Sequence, residues 1–273
     1  MSQKLLGVVA QKGLLCLFIL SSWLSLPSYA EDNISPTITI IIDDLGYRYH
    51  DDQRVLELPG PVAFSILPHG PNTDRISRLA IEQGREMLLH QPMQAIDSNK
   101  DIGPGGLTVN MQRDEFIEIL ETNLRRVPNI IGLNNHMGSL LTRHSDHMQW
   151  LMETLKLNGY LFIDSMTSNK SVAAHVARDN NLPYLTRDVF LDHVQTRGYV
   201  REKFMELVET AKRKGSALAI GHPHPETIEV LAEMLVDVEQ YGVNLVGLRT
   251  LYARKHSDRQ YAQKSTDTTR AGL

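Results

Sequence analysis

Short β-branched or aliphatic runs alternate along the 273-residue chain with longer stretches that carry apolar residues at helical spacing. The first run, Thr37–Gly46 (TITIIIDDLG), opens with six residues of Thr and Ile and is apolar on both faces at Ile40, Ile41 and Ile42. Such side chains favour extended backbone, and a strand covered on each side needs apolar residues on both faces. Val62–Leu67, Glu86–Leu89, Ile130–Leu133, Tyr160–Ile163, Pro183–Leu185, Ala217–Ile220 and Leu245–Gly247 read as further strands, with a short element at Asp188–Asp192.

The intervening segments Asn72–Gln83, Asn110–Arg126, Ser145–Asn158, Ser171–Asn180, Arg201–Lys214 and Thr227–Gln240 space their apolar residues as helices do. Tyr47–Leu58 reads as a short helix or loop stopped by Pro59-Gly60-Pro61, and Gln91–Gly106 as a long loop crossing the site face. Strands alternating with helices, with no linker between them, predict a parallel sheet in an α/β fold, here a distorted (β/α) barrel of about seven strands. Residues 31–253 are expected to form that domain, and the polar tail 254–273, without apolar periodicity, to be disordered.

The first 30 residues are set apart by composition. Lys4 and Lys12 precede an apolar run from Leu14 to Leu26, and Ser28-Tyr29-Ala30 offers small residues for cleavage after Ala30. This predicts a signal peptide, a periplasmic or secreted protein, and no stable membrane span once it is removed. The lone Cys16 lies inside that run, so the mature chain has no disulfide, thiol nucleophile or thiolate metal site. Removing Lys4 and Lys12 takes the net charge from 28 − 32 = −4 to 26 − 32 = −6, which disfavours a nucleic-acid partner.

Candidate chemistry collects where the strands end. Asp43 and Asp44, His90, His136, Asp164 and His222 all follow strands, and in α/β sheets ligands gather at that carboxyl edge. Two adjacent carboxylates are stable only with a proton or cation beside them. Histidine and carboxylate together suit Zn²⁺ or a similar divalent ion with one position open to water. No G-x-S-x-G elbow or P-loop is present, which argues against serine hydrolysis and phosphoryl transfer.

From about Thr37 to Leu251 the chain resembles the polysaccharide deacetylases of the NodB homology type, and more closely their divergent branch of exported bacterial proteins. IIIDDLG is similar to that family's first motif, with one residue inserted before the glycine. The resemblance implies Asp43 as catalytic base and Asp44 as metal ligand. The family's H-x-x-x-H is replaced by HQPMQ, so Gln94 stands where a second histidine belongs, and its Arg-x-Pro-Tyr is replaced by NNHMGS. His136 is therefore expected to supply the lost ligand, giving Asp44, His90 and His136. FIDS resembles the tuning-aspartate motif and implies Asp164; IGHPHP resembles the last motif and implies His222 as general acid, with His224 as second choice.

The implied activity is metal-dependent removal of acetyl groups from a cell-envelope polysaccharide, peptidoglycan or another acetylated glycan. The alternative is a non-catalytic or regulatory periplasmic protein that binds through the same pocket. Among the remaining residues, Tyr47 and Tyr49 are candidates for stacking on sugar, Arg187 and Asp188 for pairing near the site, and Trp150 for the core. His144 and His147 read as a solvated helix turn, and His69 as surface.

Overall fold

A computed structural model describes residues 35–256, and the compact unit that holds them begins at Ser35. The segment read as a signal peptide and most of the tail lie outside the described residues. The strands are β1 (Thr37–Leu45), β2 (Ala63–Ile66), β3 (Met87–Met93), β4 (Ile130–Met137), β5 (Leu161–Asp164), β6 (Tyr184–Thr186), β7 (Val189–Phe190), β8 (Ser216–Gly221) and β9 (Asn244–Leu245). The helices are α1 (Tyr49–Leu56), α2 (Thr73–Glu82), α3 (Arg113–Arg126), α4 (Ser145–Leu157), α5 (Ala173–Asp179), α6 (Arg197–Lys214) and α7 (Pro225–Met234).

The strands form one parallel sheet in the order β6-β5-β4-β3-β2-β1-β8-β7, with β9 beside the start of β1. Its two ends, β6 and β7, are consecutive in the chain, joined only by Arg187 and Asp188. The Arg187 N–H donates to the Asp164 carbonyl of β5, while the next N–H, of Asp188, donates to the Leu218 carbonyl of β8. One extended run therefore leaves β5 and joins β8, which brings the two edges of the sheet together and makes about seven staves.

Side-chain parity sorts the core into two layers. Ile41, Leu88, Ile131, Leu161, Ile163, Leu185, Leu218 and Ile220 pack together in the lumen, whereas Ile38, Ile40, Ile42, Met87, Leu89 and Phe162 face the helices. Leu248 and Leu251, on a helical stretch of residues 248–256, pack with the lumen set near the amino end of β1. Glu86 caps that stretch by accepting from the Leu248 and Arg249 N–H groups. The tail boundary expected at residue 254 thus falls inside a helix that closes the bottom of the barrel.

Other boundaries also shift. α6 starts four residues earlier than expected because Thr196 caps it, its hydroxyl accepting from the Tyr199 N–H at 3.3 Å. β3 and β4 run on to Met93 and Met137, so His90 and His136 stand within paired strands rather than after them. α7 ends at Met234, and a 3₁₀ turn at Val238–Tyr241 replaces its expected last turns.

β4 and β5 approach closely at Gly132, where a Cβ would lie 2.2 Å from the Leu161 carbonyl oxygen. Neither strand can yield without breaking its ladder. Gly132→Ala should destabilise the fold by about 1–3 kcal/mol in urea unfolding, whereas an unchanged midpoint would show that the strands can separate freely there.

Candidate active site

Asp43 shares parity with Ile41, so its carboxylate enters the lumen, and by the same rule Asp44 should point to the helices. It does not, because a register shift between Ile42 and Leu45 inserts an extra residue into β1 and Asp44 adopts a left-handed φ of 62°. Aspartate tolerates that conformation better than most residues, at a strain of about 1–3 kcal/mol. The following loop is tied down on both sides. The Gly46 N–H donates to the buried Asp52 carboxylate at 2.9 Å, and the Gly46 carbonyl accepts from the Asn72 N–H at 2.8 Å. Burial pushes the Asp52 carboxyl up to about 6.

Three ligand-competent atoms converge here. Asp44 Oδ1 lies 2.8 Å from His136 Nδ1 and 3.1 Å from His90 Nε2, and the two ring nitrogens are 3.2 Å apart. Asp44 Oδ1 is buried without a hydrogen bond of acceptable geometry, and one ligand atom from each of the three residues lies within 4.8 Å of the others, a grouping that could hold a metal ion. An ion with ligands at about 2.0–2.1 Å in tetrahedral array would hold them about 3.4 Å apart, so a small expansion of this cluster accommodates one. Burial works to raise the Asp44 carboxyl, but the His136 and His90 rings outweigh it and hold it well below the carboxylate range.

Asn134, fully buried on β4, orients the rest. Its Oδ1 accepts from the Ser65 hydroxyl and from His90 Nδ1 at 2.8 Å, and its Nδ2 donates to Asp43 Oδ1 at 2.8 Å and Ser165 Oγ at 3.3 Å. The proton thereby placed on His90 Nδ1 leaves Nε2 its lone pair in the neutral ring. Burial opposes a second proton on His90, yet Asp43 and Asp44 overcome it and raise its pKa; a cation in the cluster competes for the same lone pair. Burial is also the main cause raising the Asp43 pKa, against His90, His222 and the Asn134 hydrogen bond.

His222 follows β8 and places Nε2 3.8 Å from Asp44 Oδ2. Its Nδ1 lies 3.0 Å from Asp192 Oδ1, while Asp192 Oδ2 accepts from the His222 N–H and the Thr227 hydroxyl. Burial works against a charge on His222, but the hydrogen bond and charge of Asp192 prevail and push it up to about 9. The sequence points to Asp164 as the tuning aspartate, but it is Asp192 that the structure places beside His222. Ile163 faces the lumen, so Asp164 faces out, accepting from the Met166 N–H at 2.9 Å and the Ser171 hydroxyl at 2.8 Å. Asp192, just beyond β7, obeys the strand-end rule but is hidden in the sequence by the shortness of that strand.

Two cavities flank the cluster and share His136. One of about 460 Å³ reaches Asp43, His90 and His222; the other, of about 330 Å³, reaches Asp44 and His69. The loop after β3 lines both, through Lys100 in the first and Asp101–Pro104 in the second. Tyr47 is exposed along the smaller cavity, whereas Tyr49 packs on the core beneath Arg75. Arg187 lines the larger cavity, but Asp188 turns away to Lys214 and the Leu218 N–H, so the expected pair does not form. His224 contacts Gln195 and lines neither cavity, and His147 is buried against Phe116 and Trp150 rather than solvated.

Residues 40–252 match the family described as divergent polysaccharide deacetylase. The uncharacterized protein YibQ of Escherichia coli (strain K12) is 35% identical over 201 residues, a match covering 74% of this chain and 63% of that relative. The chain thus spans under two thirds of its length. The crystal structure of uncharacterized protein ATU2773 from Agrobacterium tumefaciens C58 superposes with a TM-score of 0.77 at 23% identity, covering 80% of this chain and 89% of that one. BA3943, a CE4 family pseudoenzyme from Bacillus anthracis, shares the fold with a TM-score of 0.51 at 13% identity, covering 80% of this chain and 66% of its own.

Removing the Asn134 hub isolates its effect on ion binding. Asn134→Leu keeps the volume but leaves His90 Nδ1 and Asp43 unpartnered, so affinity for added Zn²⁺ should fall about 10- to 100-fold in calorimetry. Unchanged affinity would mean that packing alone orients His90.

Proposed function

The chain belongs to the divergent polysaccharide deacetylase family, and we propose that it is a metal-dependent hydrolase removing acetyl groups from a cell-envelope polysaccharide. The observation that carries this reading is the convergence of Asp44, His90 and His136 on one point, with Asp43 and His222 both within 4 Å of that cluster. These three residues would hold a divalent ion, Zn²⁺ being the best match to one carboxylate and two imidazoles. When bound, it supplies Lewis acidity toward water and an amide or ester carbonyl. The signal-type sequence at residues 1–30 supports action outside the cytoplasmic membrane, and among the described residues no helix is long and apolar enough to cross one.

The chain's own groups divide the proton transfers. Asp43, held by Asn134, accepts a proton from the attacking water as the new C–O bond forms. His222, protonated through its support by Asp192, gives a proton to the departing nitrogen or oxygen as the acetyl bond breaks. The cavities on either side supply room for the sugar chain to run past the cluster. Gln94, standing where the family's second histidine belongs, accepts from the Val109 N–H at 2.9 Å and so anchors the site loop. That structural use supports His136 as the replacement ligand. The same departure from the family pattern favours the second reading, a binding protein that keeps the pocket without turnover.

Asp43→Asn separates the two readings. It should lower acetate release from envelope glycans about 100-fold or more while bound metal stays unchanged, and equal release would remove Asp43 as base. His222 donates only while protonated, so the rate should fall as pH rises through about 9. Asp192→Asn weakens that support and should move the alkaline limb to lower pH; a limb that does not move would detach His222 from proton donation.

A further inference from the structure

Arg187 is a half-buried cation with no carboxylate in ion-pair contact. Its Nε donates to the Ser165 carbonyl at 2.7 Å and its Nη2 to the Met166 carbonyl at 2.9 Å, with Phe190 beneath the guanidinium at 5.1 Å. Among the described residues it forms no ion pair, and Nη1 donates to no protein acceptor. Burial lowers its pKa, the sign that water has been taken from the charge, and outweighs the more distant Asp43, Asp164 and Asp188. Arg85 is likewise held by carbonyls, those of Gly60, Leu56 and Leu58, but both its terminal nitrogens donate, whereas Nη1 of Arg187 does not. Nη1 is thus left to water or to an oxyanion that enters the cavity.

The surroundings say where that anion would sit. Arg187 lines the larger cavity together with Lys100 and His193, and the only carboxylate in that lining is Asp43 at its inner end. Lys100 likewise makes no ion pair among the described residues. Nη1 and the free hydrogen of Nη2 form a fork, the arrangement that takes two oxygens of one oxyanion.

We infer that the larger cavity is a subsite for an oxyanion carried by the substrate, a carboxylate or phosphate on the sugar beside the acetylated position, received by Arg187 with Lys100. This rests on the glycan-hydrolase reading of the site and narrows its substrate to an acidic glycan. A neutral polymer would leave Nη1 of Arg187 without an anionic partner.

The test is calorimetric binding to the full chain carrying Asp43→Asn, which suppresses turnover. Three probes are compared: a tetrasaccharide alternating N-acetylglucosamine with N-acetylmuramic acid, the same molecule with its carboxylates converted to amides, and a chitotetraose phosphate. At least one anionic probe should bind about tenfold or more tightly than the amide, and which one does identifies the oxyanion. Lys100→Gln should reduce that preference several-fold while leaving affinity for the amide unchanged, and Arg187→Gln should reduce it at least as much. Because Arg187 also ties down Ser165 and Met166, Lys100→Gln decides the outcome should Arg187→Gln misfold. Equal binding of all three probes, no binding of any, or equal weakening of acid and amide in Lys100→Gln would overturn the subsite. Acid-selective binding without acetate release by the wild type would instead remove only the hydrolase reading. Acetate release from neutral chitotetraose without acid preference would remove only the subsite.

Discussion

Consecutive residues of a β-strand point to opposite faces of the sheet, so two adjacent aspartates reach one site only if the strand departs from its own geometry. The whole site depends on that departure. The extra residue in β1 and the left-handed Asp44 turn its carboxylate back toward the lumen face that Asp43 already occupies. The strain is held by the fold around it, through the Asp52 and Asn72 hydrogen bonds to Gly46. Asp44 then meets His90 and His136 from two neighbouring strands, β3 and β4, whose pairing of Pro92 with His136 fixes their relative height.

A second constraint is polar satisfaction in the lumen. Below the site the barrel is filled by aliphatic residues and closed by Leu248 and Leu251. Above them, Asn134 carries four hydrogen bonds to Ser65, His90, Asp43 and Ser165, drawn from four different strands or their ends. A buried amide is tolerated there because both its oxygen and its nitrogen are satisfied. One residue thereby aligns His90 and Asp43, so the proposed metal ligand and the proposed base share a support.

Much of this is legible in the sequence because strand ends are marked by composition. IIIDD, LLH and the NNH segment announce their elements, and the missing histidine of H-x-x-x-H directs attention to His136, which the structure brings beside Asp44 and His90. Parity is not legible. A run apolar on both faces does not say whether Ile40 or Ile41 faces the lumen, so Asp164 reads as a site residue although Phe162 and Asp164 lie on the outer face. Asp192 is obscured by a two-residue strand, and although Arg187 is legible as a residue near the site, the parting of Asp188 from it is hidden by a chain that changes partners between two edges within one step. Asn134 reads as part of a replaced motif, because a hydrogen-bond hub has no sequence signature apart from the partners it meets.

If Asp44, His90 and His136 together hold a divalent ion, the metal content of the purified protein reports it. Purified wild-type protein, dialysed after exposure to Zn²⁺, should retain about one ion per chain, while Asp44→Ala, His90→Ala and His136→Ala should each lose most of it and His147→Ala should keep it. A wild type that retains no metal, or a His136→Ala variant with full occupancy, would show that these three residues do not form the metal site.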